Sequence, residues 1–165
     1  MTDLERYFTA LLDGKTPACR RMKQVAQRLL ENLTCPGEFH FDPDIAQRHI
    51  EFIQRFCRVP SGRLGEPLRL ELFQRARLQA IFGFVDDNDL RQYNEVLILE
   101  GRKNGKTTEV AAVELDLLVN DGEGAPQIYN LATKLEQAKL GYDAVKKMVH
   151  QSPMLSRHLR RRVAD

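Results

Sequence analysis

Cysteine is scarce: Cys19, Cys35 and Cys57 are the three in the chain, an odd number with no Cys-x-x-Cys pair. That excludes a self-contained disulfide framework and predicts reduced, mostly buried thiols of a cytosolic protein. Cys35, His40, His49 and Cys57 can be drawn as a zinc set, but they lack the closely paired ligands of structural zinc sites. There is no long apolar run, so no membrane span is expected. No secretory signal is expected either, because Asp3, Glu5 and Arg6 interrupt the apolar residues of the opening segment. An excess of one charge is missing as well. The net charge of +2 over 165 residues gives no sequence-wide argument for nucleic acid or membrane binding. Internal repeats and low-complexity stretches are absent. What remains is ordinary for a globular chain with a sizeable core: 42% hydrophobic and 29% charged residues.

The first part of the chain has helical spacing. Thr16 is placed to cap a helix with Pro17 at its first position, and Met22, Val25, Ala26, Leu29, Leu30 and Leu33 follow on one face. Asp42 and Pro43 repeat the cap-then-proline start, ahead of an apolar stripe of Ile45, His49, Phe52, Ile53, Phe56 and Cys57. On such a stripe His49 is expected to be a packed core histidine. Residues 60–67, with two prolines and two glycines, form a loop. Residues 70–84 return to a helix and 86–89 form a polar turn.

The pattern then changes. Residues 95–100 contain the run Val96, Leu97, Ile98, Leu99, which suits a strand covered on both faces. A loop at 101–106, a helix at 107–119, a turn at 121–126, a strand at 127–132 and a helix at 135–150 follow. Ala138, Tyr142, Val145 and Val149 share one face of that last helix. The fold class is therefore α/β, with parallel strands joined by a right-handed crossover.

The loop Gly101-Arg102-Lys103-Asn104-Gly105-Lys106-Thr107-Thr108 lies between the first predicted strand and its helix. That is the setting a phosphate loop requires. Backbone N–H groups of a tight, small-residue turn converge on an anion, and the helix N-terminus adds positive potential. Lys106 would reach the β- and γ-phosphates of a nucleotide, and the Thr107 hydroxyl would coordinate Mg²⁺. The usual spacing is Gly-x-x-x-x-Gly-Lys followed by Ser or Thr. Here the position of the first glycine holds Glu100, and the glycine comes one residue later, at Gly101. The bland alternative is a surface turn opening a helix.

These residues, from Glu100 to Thr108, resemble the deviant Walker A loop of phage terminase large subunits. That family commonly has Arg-Lys-Asn-Gly-Lys followed by Ser or Thr, with the leading glycine displaced. Phe73-Gln74 resembles the family's Trp-Gln segment, with Phe73 replacing the tryptophan. The resemblance implies that Gln74 reads the adenine edge while Phe73 packs nearby. Val85-Asp86 and Leu90-Arg91 match the turn that follows. Ile128 to Thr133, with Gln137 and Ala138, resembles the family's second strand and next helix. Tyr142, Asp143, Ala144, Met148, Val149, Ser152 and Pro153 continue the likeness, which covers roughly 43–156.

The resemblance implies a partial P-loop NTPase fold: a helical region over 1–65, then the first part of the ATPase domain over 66–165, incomplete here. It implies ATP and Mg²⁺ as cofactors. In the full-length context it implies ATP-driven translocation of double-stranded DNA into the capsid, with a small terminase subunit and a portal ring as partners. The expected location is the bacterial host cytoplasm, transiently at the procapsid portal, with no membrane partner. Neither a Walker B pair of carboxylates nor a nuclease acidic cluster follows Lys106 in the chain, so the catalytic residues stay unassigned and the chain alone is expected to be inactive. Asp86-Asp87 after Ile81–Val85 imitates a Walker B strand, but it continues a helical pattern into a turn. The basic run from Arg157 to Arg162 reads as a solvated helix end or a DNA-facing patch. Two other readings stand beside the motor: an inert, truncated prophage remnant or fragment with nucleotide binding at most, and another P-loop ATPase of helicase-like type.

Overall fold

A computed structural model describes residues 1–159, so Arg160, Arg161 and Arg162 of the basic run lie outside the described residues. The chain divides into two compact units, Met1–Ile50 with Leu70–Ile98, and Glu51–Arg69 with Leu99–Asp165.

In the first unit, α1 (Asp3–Leu12) starts at a capping box. Glu5 N–H donates to the Thr2 hydroxyl at 3.1 Å, and Thr2 N–H donates to the Glu5 carboxylate at 2.6 Å. α2 (Arg20–Thr34) begins after Cys19 rather than at Thr16. The reason is local. The N–H groups of Lys15 and Thr16 both donate to the Ala10 carbonyl, so Thr16 belongs to the turn that closes α1. α4 (Leu72–Phe82) packs on α1. The core between these helices is Leu4, Phe8, Leu11, Ala26, Leu29, Ala76, Ala80 and Phe84. Two polar ties cross it: Leu4 N–H donates to the Gln79 carboxamide oxygen at 2.7 Å, and Arg75 Nε donates to Asp3 at 2.7 Å. Met22 and Val25, expected on the buried face of α2, are exposed.

α3 (Pro43–Phe56) starts as the sequence indicates. The Asp42 carboxylate accepts from the N–H groups of Asp44 and Ile45 at 2.8 and 2.9 Å. His49 is buried and stacked on Phe82, ring centroids 4.0 Å apart. The expected helix over 70–84 stops at Phe82, and Phe84–Val85 forms a short strand, β2. It pairs antiparallel with β1 (His40–Phe41), His40 opposite Val85 and Phe41 opposite Phe84. Gly83 makes the change of direction possible, since a Cβ there would collide with the Phe41 ring and the Gln79 carbonyl. Asp86-Asp87 falls in a turn and not in a Walker B strand. The Asp86 carboxylate accepts from Leu90 N–H and Asn88 N–H, which holds its pKa below the usual carboxylate value.

In the second unit, 57–68 is a loop tied across its base. Val59 N–H donates to the Glu66 carbonyl at 2.9 Å and Leu68 N–H to the Cys57 carbonyl at 3.1 Å. α5 (Lys106–Val119) packs on α6 (Leu135–Gln151), and α6 on α7 (Pro153–His158). Ser152 caps α7 ahead of Pro153. The buried apolar residues of these helices are Ala111, Ala112, Leu115, Ala144, Met148 and Leu155. The buried line of α6 is thus Ala144 and Met148, while Tyr142 is exposed.

The helices of the expected strand–helix–strand–helix unit are in place; its strands are not paired. Residues 95–100 and 127–132 are irregular, and among the described residues neither joins a sheet. A strand takes its hydrogen bonds from a neighbour, and among the described residues no backbone–backbone hydrogen bond reaches either segment. Leu97 and Leu99 are each 84% exposed, Tyr129 is 75% and Leu131 is 91%. The cysteines also depart from expectation. Cys57 is buried, but Cys19 and Cys35 are exposed because they cap the two ends of α2. No helix among the described residues is long and apolar enough to cross a membrane.

Candidate functional site: a phosphate loop at the start of α5

The loop is built by two left-handed residues. Lys103 has φ 68° and Gly105 has φ 79°, and Gly105 is the N-cap of α5. The first needs no glycine but costs about 1 kcal/mol in a residue with a Cβ. The second turns the chain so that α5 starts at Lys106, with Thr107 and Thr108 in its first turn. The N-cap of α5 is a glycine, so it offers no side chain to the first N–H groups of the helix. Gly101, Arg102, Lys103, Asn104 and Gly105 are exposed, as is Thr107. Asn104 folds back over Gly101, its amide nitrogen 3.5 Å from where a Cβ would stand.

Lys106 is half-buried, and its ammonium donates to the Glu100 carbonyl at 2.5 Å. The lysine therefore closes the loop on itself from end to end. An exposed turn bounded by two glycines, with a cation folded across it and a helix N-terminus behind it, is chemically suited to hold an anion.

The acidic residues behind this loop escaped the sequence reading. Glu109, in the first turn of α5, is 3% exposed, and Asp116 is fully buried. Asn120 donates to Asp116 at 2.9 Å. Burial, and then the charge of Asp116, push the Cys57 thiol up to about 12, against the opposing pull of Arg58. A thiol held that high is inert rather than nucleophilic. Glu114 accepts from the Asn130 amide at 3.2 Å, which ties the segment 127–132 to α5. Burial raises the Glu114 pKa, and the Asn130 bond partly opposes it. The available signal was the i, i+7 pairing of acids on an otherwise apolar helix face, Glu109 with Asp116.

Phe73 and Gln74 lie on α4, in the first unit. Phe73 is half-buried beside Tyr7, ring centroids 6.5 Å apart, with the Arg77 guanidinium 5.6 Å from its ring centre. Gln74 is 9% exposed, and its carboxamide oxygen accepts from Glu71 N–H at 2.8 Å as half of a capping box. No cluster of His, Cys, Asp or Glu suited to a metal ion occurs among the described residues.

Residues 72–165 match the family model "Terminase large subunit, ATPase domain". A terminase large subunit of Enterobacteria phage HK97 is 36% identical over 111 residues, which are 66% of this chain and 21% of that protein. The chain thus spans about a fifth of that relative's length. No solved structure matches. The family model covers more than half of the chain, including the whole loop and helices α5 and α6, and the chain belongs to the terminase large subunit ATPase-domain family.

Proposed function

We propose that this chain is the ATP-binding part of a phage DNA-packaging motor, whose full-length form hydrolyses ATP to drive double-stranded DNA into the capsid. The observation that carries the reading is the turn at 101–105, left-handed at Lys103 and Gly105, opening onto α5 with Lys106 and Thr107 in its first turn. Residues 66–165 are then the first part of a P-loop ATPase domain, and 1–65 the helical region leading into it.

The backbone from Gly101 to Gly105 and the start of α5 hold the phosphates, with Arg102, Lys103 and Thr108 around them. Lys106 exchanges the Glu100 carbonyl for β- and γ-phosphate oxygens. The exposed Thr107 hydroxyl is a hard oxygen donor that fits Mg²⁺, an ion that neutralises phosphate charge when bound. Phe73 offers a ring face near the base. Gln74 reads adenine by exchanging the bond it makes to Glu71. The wider setting is the host cytoplasm and the procapsid portal, with duplex DNA, a small terminase subunit and a portal ring as partners.

Calorimetry with ATP·Mg²⁺ on the full chain and on Lys106→Ala tests this. The variant loses a charge-assisted hydrogen bond of about 1.5–3 kcal/mol, so its affinity falls by roughly 10- to 150-fold. Equal, measurable affinity in the two proteins would remove the phosphate-loop assignment.

A further inference from the structure

We propose that the outer face of α2 is a docking surface for the sugar-phosphate backbone of duplex DNA. The choice of duplex DNA as the polyanion rests on the packaging reading; the surface itself rests on α2.

α2 buries Ala26 and Leu29 in the core of the first unit. Arg20, Arg21, Lys23, Gln24, Gln27 and Arg28 of the same helix are all exposed. None of the four cations is in an ion pair among the described residues. The single acid of the helix, Glu31, accepts from the Gln27 amide at 2.9 Å. Four cations against one acid leave an excess of three on this helix, in a chain whose total is +2. The charge that looks unremarkable over the whole sequence is therefore concentrated here.

Helix stability does not account for the arrangement. The first turn of α2 holds no acid, and three cations stand within four residues of its positive end, where they oppose the helix dipole. A phosphate laid along the face relieves that conflict. Arg21 and Arg28 are seven residues apart, two turns along one face and about 10 Å along the axis. Duplex DNA carries a charge every ~1.7 Å of its length, so a row of this span meets phosphates without needing a fixed register. Guanidinium forks suit phosphate oxygens, and the interleaved Gln24 and Gln27 amides suit phosphate or sugar oxygens. Three arginines to one lysine favour phosphate over the scattered carboxylates of an acidic protein.

The test is fluorescence anisotropy of a short labelled duplex of arbitrary sequence, titrated with the full chain at several salt concentrations. Arg21→Ala/Arg28→Ala removes two phosphate contacts at about 0.9 decade each, so affinity falls by about 60-fold at 0.1 M salt and the salt slope falls by about 2. Far-UV circular dichroism and ATP·Mg²⁺ affinity stay unchanged in that variant. Duplex binding as tight in the double variant as in the wild type overturns the surface. So does the absence of duplex binding by the wild type at about 0.05 M salt. Poly-glutamate that binds the wild type more tightly than duplex does, and loses its affinity in the variant, would assign the face to an acidic protein and overturn the DNA proposal. Failure of ATP binding, by contrast, bears on the packaging reading alone.

Discussion

Gly105 shows how much of the site depends on one backbone angle. At φ 79° it caps α5 and sets where Lys106 emerges. Gly105→Ala places a Cβ in the left-handed region, which costs about 1 kcal/mol or more. The expected outcome is a modest fall in thermal midpoint with a larger loss of ATP affinity, read by melting and calorimetry on the same samples. Gln74 serves two purposes, because its oxygen already caps α4. Gln74→Ala should lower ATP affinity by about 1–3 kcal/mol while leaving GTP nearly untouched. Equal losses for both nucleotides would leave Gln74 only its capping role. The start of α5 at Lys106 and the Asp42 cap were legible in the sequence because each rests on a few adjacent residues. The second duty of Gln74, and the exposure of Cys19 and Cys35, were not: they depend on where α4 begins and where α2 begins and ends.

Among the elements, α5 stands closest to the candidate chemistry and carries the buried acids. Burial raises the folded-state pKa of Glu114 above its unfolded value. Its effect on stability is then most favourable below the unfolded pKa and is lost as pH rises through the folded one. Glu114→Gln keeps an acceptor for Asn130 and removes the charge. The variant should melt higher than wild type at neutral pH, and the difference should shrink in acid below pH ~4; a gain that stays constant with pH would contradict this. α3 was legible from spacing and its Asp42 cap, and α5 and α6 from their lengths between turns, although the buried line of α6 is Ala144 and Met148 rather than the face of Tyr142. β2 was not, because Phe84 and Val85 continue the apolar pattern of α4, and the break rests on the crowding at Gly83. The segments 95–100 and 127–132 read as strands in the sequence and are irregular in the structure, because pairing needs a neighbouring strand that periodicity cannot supply.

For the molecule as a whole, the exposed apolar residues of those two segments have a consequence. Backbone without a sheet partner, with Leu99 and Leu131 almost fully exposed, favours self-association. Leu99→Lys/Leu131→Lys should shift the sedimentation profile of the chain toward monomer; an unchanged profile would place the association elsewhere. The same chain should not turn over ATP at a useful rate. After Lys106 it has no apolar run ending in paired acids, and Asp86-Asp87 lies in a turn with Asp86 bonded to backbone. Phosphate release near 1 s⁻¹, the low end for ordinary enzymes, that disappears in Lys106→Ala would place a catalytic carboxylate within this chain.

The central claim, that 101–108 is a phosphate loop, meets its most direct test in ¹⁵N–¹H spectra of the full chain titrated with ATP·Mg²⁺. The account predicts saturable shifts concentrated in the backbone amides from Arg102 to Thr108, abolished in Lys106→Ala. Saturable binding that leaves those amides unmoved and shifts others would contradict it.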